Sequence, residues 1–146
     1  MTADATPRKK ANVFGLGLIG GSLALALTDA GYDVGGHDSD KSKIDTALER
    51  EIISFPGLFS DAEVILADKP AGLLSVATDR GEVDTMYDRV AKWAWENGRT
   101  RTHLVHRLDR ETSGCMIFAR SAETKDMLQR QFKNRSVERI YHAVVH

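Results

Sequence analysis

The sequence predicts a mixed α/β fold, and three observations predict it. Ala11-Asn12-Val13-Phe14 is an apolar strand that runs into a glycine turn, an apolar helix and a second strand, Tyr32 to His37. Asp61 to Ala67 is a further strand. Beyond it, Leu104-Val105 and Met116-Ile117-Phe118-Ala119 read as strands on either side of a charged loop. Strands alternating with a helical period imply a parallel βαβ unit, whereas two strands joined by a loop imply antiparallel pairing. The chain is therefore expected to join an N-terminal βαβ unit to a partial α+β sheet. The boundary by composition is the loop from Ile53 to Ser60, which holds Pro56 and Gly57. Residues 1–60 and 61–146 are the two expected units.

The bulk properties fit such a chain. Its 146 residues suffice for one ordinary domain or two small ones. At 42% hydrophobic and 28% charged it is globular rather than disordered or fibrous. The single cysteine, Cys115, rules out an internal disulfide and reads as a small buried hydrophobe. No apolar run is long enough to span a bilayer. Arg8-Lys9-Lys10 leads into a glycine-broken run rather than a signal peptide. A cytoplasmic protein without membrane association is expected, and the sequence assigns no oligomeric state. The net charge of −1 is unevenly spread: from Arg99 onward ten Arg and Lys stand against five Asp and Glu. That asymmetry is expected of an RNA-facing segment.

From the N-terminus, Gly15-Leu16-Gly17-Leu18-Ile19-Gly20 is a G-x-G-x-x-G turn between a strand and a helix that Gly31 stops. Gly15 permits the tight turn, Gly17 lets backbone approach a pyrophosphate, and Gly20 lets the helix pack close to the strand. The helix N-terminus offers free N–H groups to phosphate. Asp38 ends the second strand, where an acid accepts from a ribose 2′-hydroxyl. This context is that of a Rossmann-like unit. The stretch Gly15 to Ala24 resembles the N-terminus of prephenate dehydrogenases, and the resemblance covers about residues 12–53. It implies a dinucleotide held by Gly15, Gly17, Gly20 and Asp38, with Asp38-Ser39 pointing to NAD rather than NADP. Ser39 or Asp40 is expected to cap a helix from about Lys41 to Glu51.

The second half is organised around His106-Arg107-Leu108-Asp109-Arg110-Glu111-Thr112-Ser113-Gly114. Packing does not need a loop so rich in charge. Asp109 lies between Arg107 and Arg110, and neighbouring positive charge keeps a carboxylate ionised. Thr112-Ser113-Gly114 turns the chain and offers hydroxyl and amide donors. The stretch meets every fixed position of H-R-L-D-x-x-T-S-G, and so resembles the signature loop of the pseudouridine synthases that modify ribosomal and transfer RNA. Asp68-Lys69-Pro70-Ala71-Gly72-Leu73-Leu74 resembles that family's first motif. Gln131-Phe132, Arg135 and Arg139 to Val145 resemble its segment around a fixed tyrosine. The match runs over about residues 63–146.

This second resemblance implies an isomerisation of uridine to pseudouridine in structured RNA, with no cofactor. Asp109 would be the essential carboxylate and Tyr141 would lie against the uracil and assist at C5. Arg107, Thr112 and Lys69 would bind substrate. The target base must leave its stack to reach the pocket. His103, His106, His142 and His146 lack metal-ligand spacing, so no metal site is expected. The family's later motif, with a basic partner for Asp109, would follow Tyr141, so the catalytic fragment is expected to be incomplete. The N-terminal βαβ unit is expected to cover the sheet edge thus left open.

The remaining elements are expected as follows. Lys69 to Gly72 turns, and Leu73 to Ala77 is a short strand. Thr85 to Asn97 is a helix with Trp93 in the core, ended by Gly98. Ser121 caps a helix carrying Met127, Leu128 and Phe132 inward, and Arg139 to Val145 is a last strand. Asp61 to Ala67 suits both halves. The chain thus reads as a chimera, and two alternatives stand beside the RNA isomerase: an NAD-binding fragment of an oxidoreductase, and a recombined or engineered folded chimera without activity.

Overall fold

A computed structural model describes residues 8–57, 59 and 61–145. In chain order the elements are β1 (Lys10–Phe14), α1 (Leu18–Asp29), β2 (Asp33–His37), α2 (Lys41–Glu49), β3 (Phe55–Pro56), β4 (Val64–Lys69), α3 (Met86–Gly98), β5 (His103–Leu104), β6 (Gly114–Ala119) and α4 (Ala122–Lys133). Among the described residues the strands make one six-stranded sheet in the order β3-β2-β1-β4-β6-β5. β1, β2, β3 and β4 run parallel, and β6 is antiparallel to both β4 and β5.

β4 is the hinge of this architecture. One edge pairs in parallel with β1, Asn12 opposite Ile65 and Phe14 opposite Ala67. The other pairs antiparallel with β6 along its whole length, from Val64–Ala119 to Lys69–Gly114. The expectation that the N-terminal unit lies along the sheet of the second half is met by hydrogen-bonded register, and the sheet runs without a break through the join.

Each face is covered because the strands alternate. Ile65, Ala67, Met116 and Phe118 meet Met86, Val90 and Ala94 of α3 on one side. Val13, Val34 and Leu66 meet Ala24 of α1 and Ala47 of α2 on the other. α3 begins in a capping box, in which Thr85 and Asp88 bond each other's backbone N–H. Asp40 caps α2 by accepting from Ser42 N, and Ser121 caps α4 by accepting from Thr124 N. Across the join, Trp93 is buried against His37 (centroids 4.6 Å apart) and Phe14 (5.5 Å), so it is a core residue as expected.

Four expectations are corrected. The Ile53–Ser60 loop carries the short strand β3, whose Gly35–Phe55 and Gly36–Pro56 pairing extends the parallel sheet. Proline is tolerated there because β3 is an edge strand; Leu58 and Ser60 lie outside the described residues. Leu73 to Ala77 is not a strand: the carbonyls of Leu74 and Ser75 accept from Met86 N and Tyr87 N at the start of α3. Met127 is 44% exposed, not inward, because α4 is a surface helix whose Thr124 is its buried residue. Arg139 to Val145 forms no strand, and Ile140, Tyr141, Val144 and Val145 are exposed. Its apolar, β-branched composition fits a strand, yet β5, at the sheet edge, pairs with β6 alone among the described residues.

Candidate active site

The signature loop runs from His106 to Ser113 between β5 and β6. Its first part is fixed by the half-buried His106 and the buried Leu108. The ring of His106 accepts at Nε2 from Ile117 N (3.1 Å) and stacks on Phe132 at 4.5 Å. Burial holds this imidazole below its ordinary value, which keeps Nε2 available as an acceptor. Leu108 is buried, and a single hydroxyl serves both its backbone groups: Ser75 Oγ donates to Leu108 O (2.5 Å) and accepts from Leu108 N (3.0 Å).

On the other side of Asp109, the carbonyl of Arg110 accepts from Lys69 Nζ (3.0 Å) and Gly72 N (2.9 Å). Arg110 Nε in turn donates to Gly72 O (3.2 Å). Asp109 itself is exposed and closes a turn through Thr112 N, which donates to its carbonyl (3.1 Å). The result is an exposed carboxylate on a backbone clamped one residue before and one residue after it, both times by the 69–75 segment. Fixed backbone of this kind is what holds a reacting group in one geometry.

The structure differs from expectation at several predicted site residues. Lys69 is fully buried, and its ammonium gives its three protons to Pro70 O (3.0 Å), Leu73 O (2.6 Å) and Arg110 O (3.0 Å). A substrate contact through Nζ is therefore corrected to a contact that ties the two loops together. Burial pulls this ammonium below its ordinary value, while Glu111 and Asp109 act the other way. Among the described residues neither Arg107 nor Arg110 forms an ion pair with Asp109. Arg107 is exposed and Thr112 half-buried.

Tyr141, 61% exposed, lines a cleft of about 240 Å³ together with Ser113, Gly114, His106 and Phe132. Asp109 does not line that cleft. Ser75, which holds the loop at Leu108, is not among the residues expected from the sequence. It stands one position beyond the first motif, and nothing in its type signals that it reaches Leu108, 33 residues away.

The N-terminal glycine turn is also in place. Gly15 adopts φ +92°, and a Cβ on Gly20 would run into Gly15 O, as tight strand–helix packing requires. Asp38, whose side chain is 7% exposed, accepts from Leu16 N (2.7 Å) and Asp40 N (2.9 Å) and lies 3.6 Å from Lys43. Its oxygens thus serve the glycine turn and the start of α2, where a ribose contact was expected. Between this turn and α3 opens a cleft of about 330 Å³ walled by Phe14, His37, Asp68 and Trp93. Cys115 packs beneath the sheet, and burial pushes its thiol up to about 11.

No helix among the described residues is long and apolar enough to cross a membrane. Among the same residues no three His, Cys, Asp or Glu side chains gather as a metal site; His146 lies outside them.

Two family models match the chain. Residues 63–146 match RNA pseudouridylate synthase, and residues 10–92 match the NAD binding domain of 6-phosphogluconate dehydrogenase. The second match is longer than the 12–53 stretch read from the sequence, and the two overlap across β4 and the start of α3. An uncharacterised RNA pseudouridine synthase of Mycoplasma genitalium is 34% identical over 125 residues, 86% of this chain and 39% of that protein. A dual-specificity RNA pseudouridine synthase of Vibrio cholerae is 36% identical over 89 residues, 60% of this chain and 34% of that protein. The chain thus spans little more than a third of these curated relatives. Among solved structures, human RNA pseudouridylate synthase domain containing 4 matches with a TM-score of 0.45 and 27% identity, over 62% of this chain and 32% of that one.

Proposed function

The chain belongs to the RNA pseudouridylate synthase family through residues 63–146, and from that premise we propose that it isomerises uridine to pseudouridine in ribosomal or transfer RNA. One observation carries the reading: the exposed carboxylate of Asp109 stands on backbone held at Leu108 by Ser75 and at Arg110 by Lys69. In the reaction the bond between C1′ and N1 breaks and one between C1′ and C5 forms. N1 gains a proton and C5 loses one, so the base is an isomer of what entered and no oxidant, reductant or cofactor is consumed. Asp109 supplies the carboxylate that acts on the sugar, by attack or by proton removal. Tyr141 closes on the uracil from the cleft it shares with Ser113 and Gly114. Arg107, exposed next to the carboxylate, holds the RNA backbone or fills the gap left by the flipped base.

The N-terminal residues are a unit of different descent, joined in β4, that covers the sheet edge; the two family matches support the descent and the parallel pairing of β1 with β4 supports the cover. Incubating structured RNA with the protein, digesting it to nucleosides and separating pseudouridine from uridine tests the activity. Product is expected with the parent and none with Asp109→Asn. A parent that binds the RNA and yields no pseudouridine would count against the proposal and in favour of an inactive fold.

A further inference from the structure

The Asp68-Lys69 pair at the end of β4 faces two ways. Strand alternation sends Lys69 to the signature loop and Asp68 to the glycine turn. There Asp68 meets all three glycines of the motif. Its Cβ is 3.2 Å from where a Cβ on Gly15 would stand and 3.5 Å from that of Gly20, and its Oδ2 is 3.4 Å from that of Gly17. Gly17 is the position that lets backbone approach a pyrophosphate, so the space this motif keeps open for two phosphates holds a carboxylate from the chain itself.

The charges agree with the geometry. Burial and the neighbouring Asp38 push the Asp68 carboxyl up, while the Gly20 N–H and Lys43 act the other way. A helix N-terminus favours negative charge, and here a carboxylate of the chain already stands there, with Asp38 beside it. At the turn a dinucleotide would bring further negative charge to two carboxylates served by Lys43; the cations Arg89 and Lys92 line the same cleft with Glu96, and Arg89 is paired with Asp84. The remainder of the site is open: the cleft of about 330 Å³ continues past Asp38 to the wall of Trp93 and Met86. The cleft leaves room beyond Asp38, but the pyrophosphate of a dinucleotide does not fit beside the Asp68 carboxylate.

We propose that Asp68 occupies the pyrophosphate seat of the glycine turn as a competitor built into the chain, so that removing this carboxylate raises the affinity for a dinucleotide. The proposal is independent of the uridine chemistry. Calorimetric titration of NAD into the whole chain, as the parent, Asp68→Ala and Asp68→Asn, tests it, with thermal unfolding to check that each variant folds. A dissociation constant at least about tenfold lower for Asp68→Ala than for the parent is expected. Asp68→Asn, which keeps the volume and loses the charge, is expected to fall between them. A folded Asp68→Ala or Asp68→Asn that binds NAD no better than the parent overturns the proposal. So does a parent that already binds NAD at about micromolar concentration, a result that needs no variant to fold.

Discussion

At Leu108 one hydroxyl does the work of a paired strand, giving a hydrogen bond to the carbonyl and taking one from the amide. Ser75→Ala leaves both buried groups without partners and is expected to cost about 1–3 kcal/mol in urea unfolding. If the clamp positions Asp109, the same change lowers kcat for uridine isomerisation and leaves RNA affinity unchanged. His106 gives a pH prediction. Its ordinary value is 6.5 and burial lowers it in the fold, so on acidification the unfolded chain takes up the proton first. Stability should therefore fall as pH drops through 6.5, until the folded imidazole is protonated as well. Melting temperatures between about pH 7 and pH 5 should drop less for His106→Gln than for the parent. The difference isolates His106 from His37, which burial shifts the same way, and from Asp68, shifted upward. At this scale the sequence was only partly legible. Asp109 is recognisable from its motif, but the partners that hold it are set by contacts over dozens of residues, and Lys69, expected to bind substrate, instead gives its protons to three carbonyls.

Local patterns explain most elements well. The strand, glycine turn, helix and strand of the first half, both capped helices α2 and α4, and the capping box of α3 follow from residues a few positions apart. Three elements do not. β3 is too short for a periodic signal and contains Pro56, and Leu73 to Ala77 has its carbonyls taken by the start of α3. Residues 139–145 have the apolar, β-branched composition of a strand, and among the described residues they pair with none. α3 is the element that ties the halves together, because Trp93 packs on Phe14 and His37 from the other side of the join. Trp93→Ala is expected to cost about 3–5 kcal/mol. Thr85→Ala, which removes the cap of the same helix, should cost about 1 kcal/mol. Equilibrium unfolding in urea compares the two.

Over the whole molecule, one sheet crosses from the NAD-binding-like residues to the pseudouridylate-synthase-like residues through β4, whose two edges accept two kinds of partner. Asp61 to Ala67 suits both halves when read alone, and the structure uses it for both. A single cooperative transition is expected, in which Ile65→Ala at the centre of β4 destabilises all probes together by about 2–5 kcal/mol. Far-UV circular dichroism and tryptophan fluorescence should give coincident midpoints; separate midpoints would mean that the halves unfold apart. The central claim is chemical, that the clamped Asp109 still rearranges uridine on this composite sheet. Its most direct test is tritium release from RNA labelled at C5 of uridine, with Asp109→Ala beside the parent. Steady release by the parent and none by the variant is the predicted result. No release from a parent shown to be folded and bound to the RNA would contradict it.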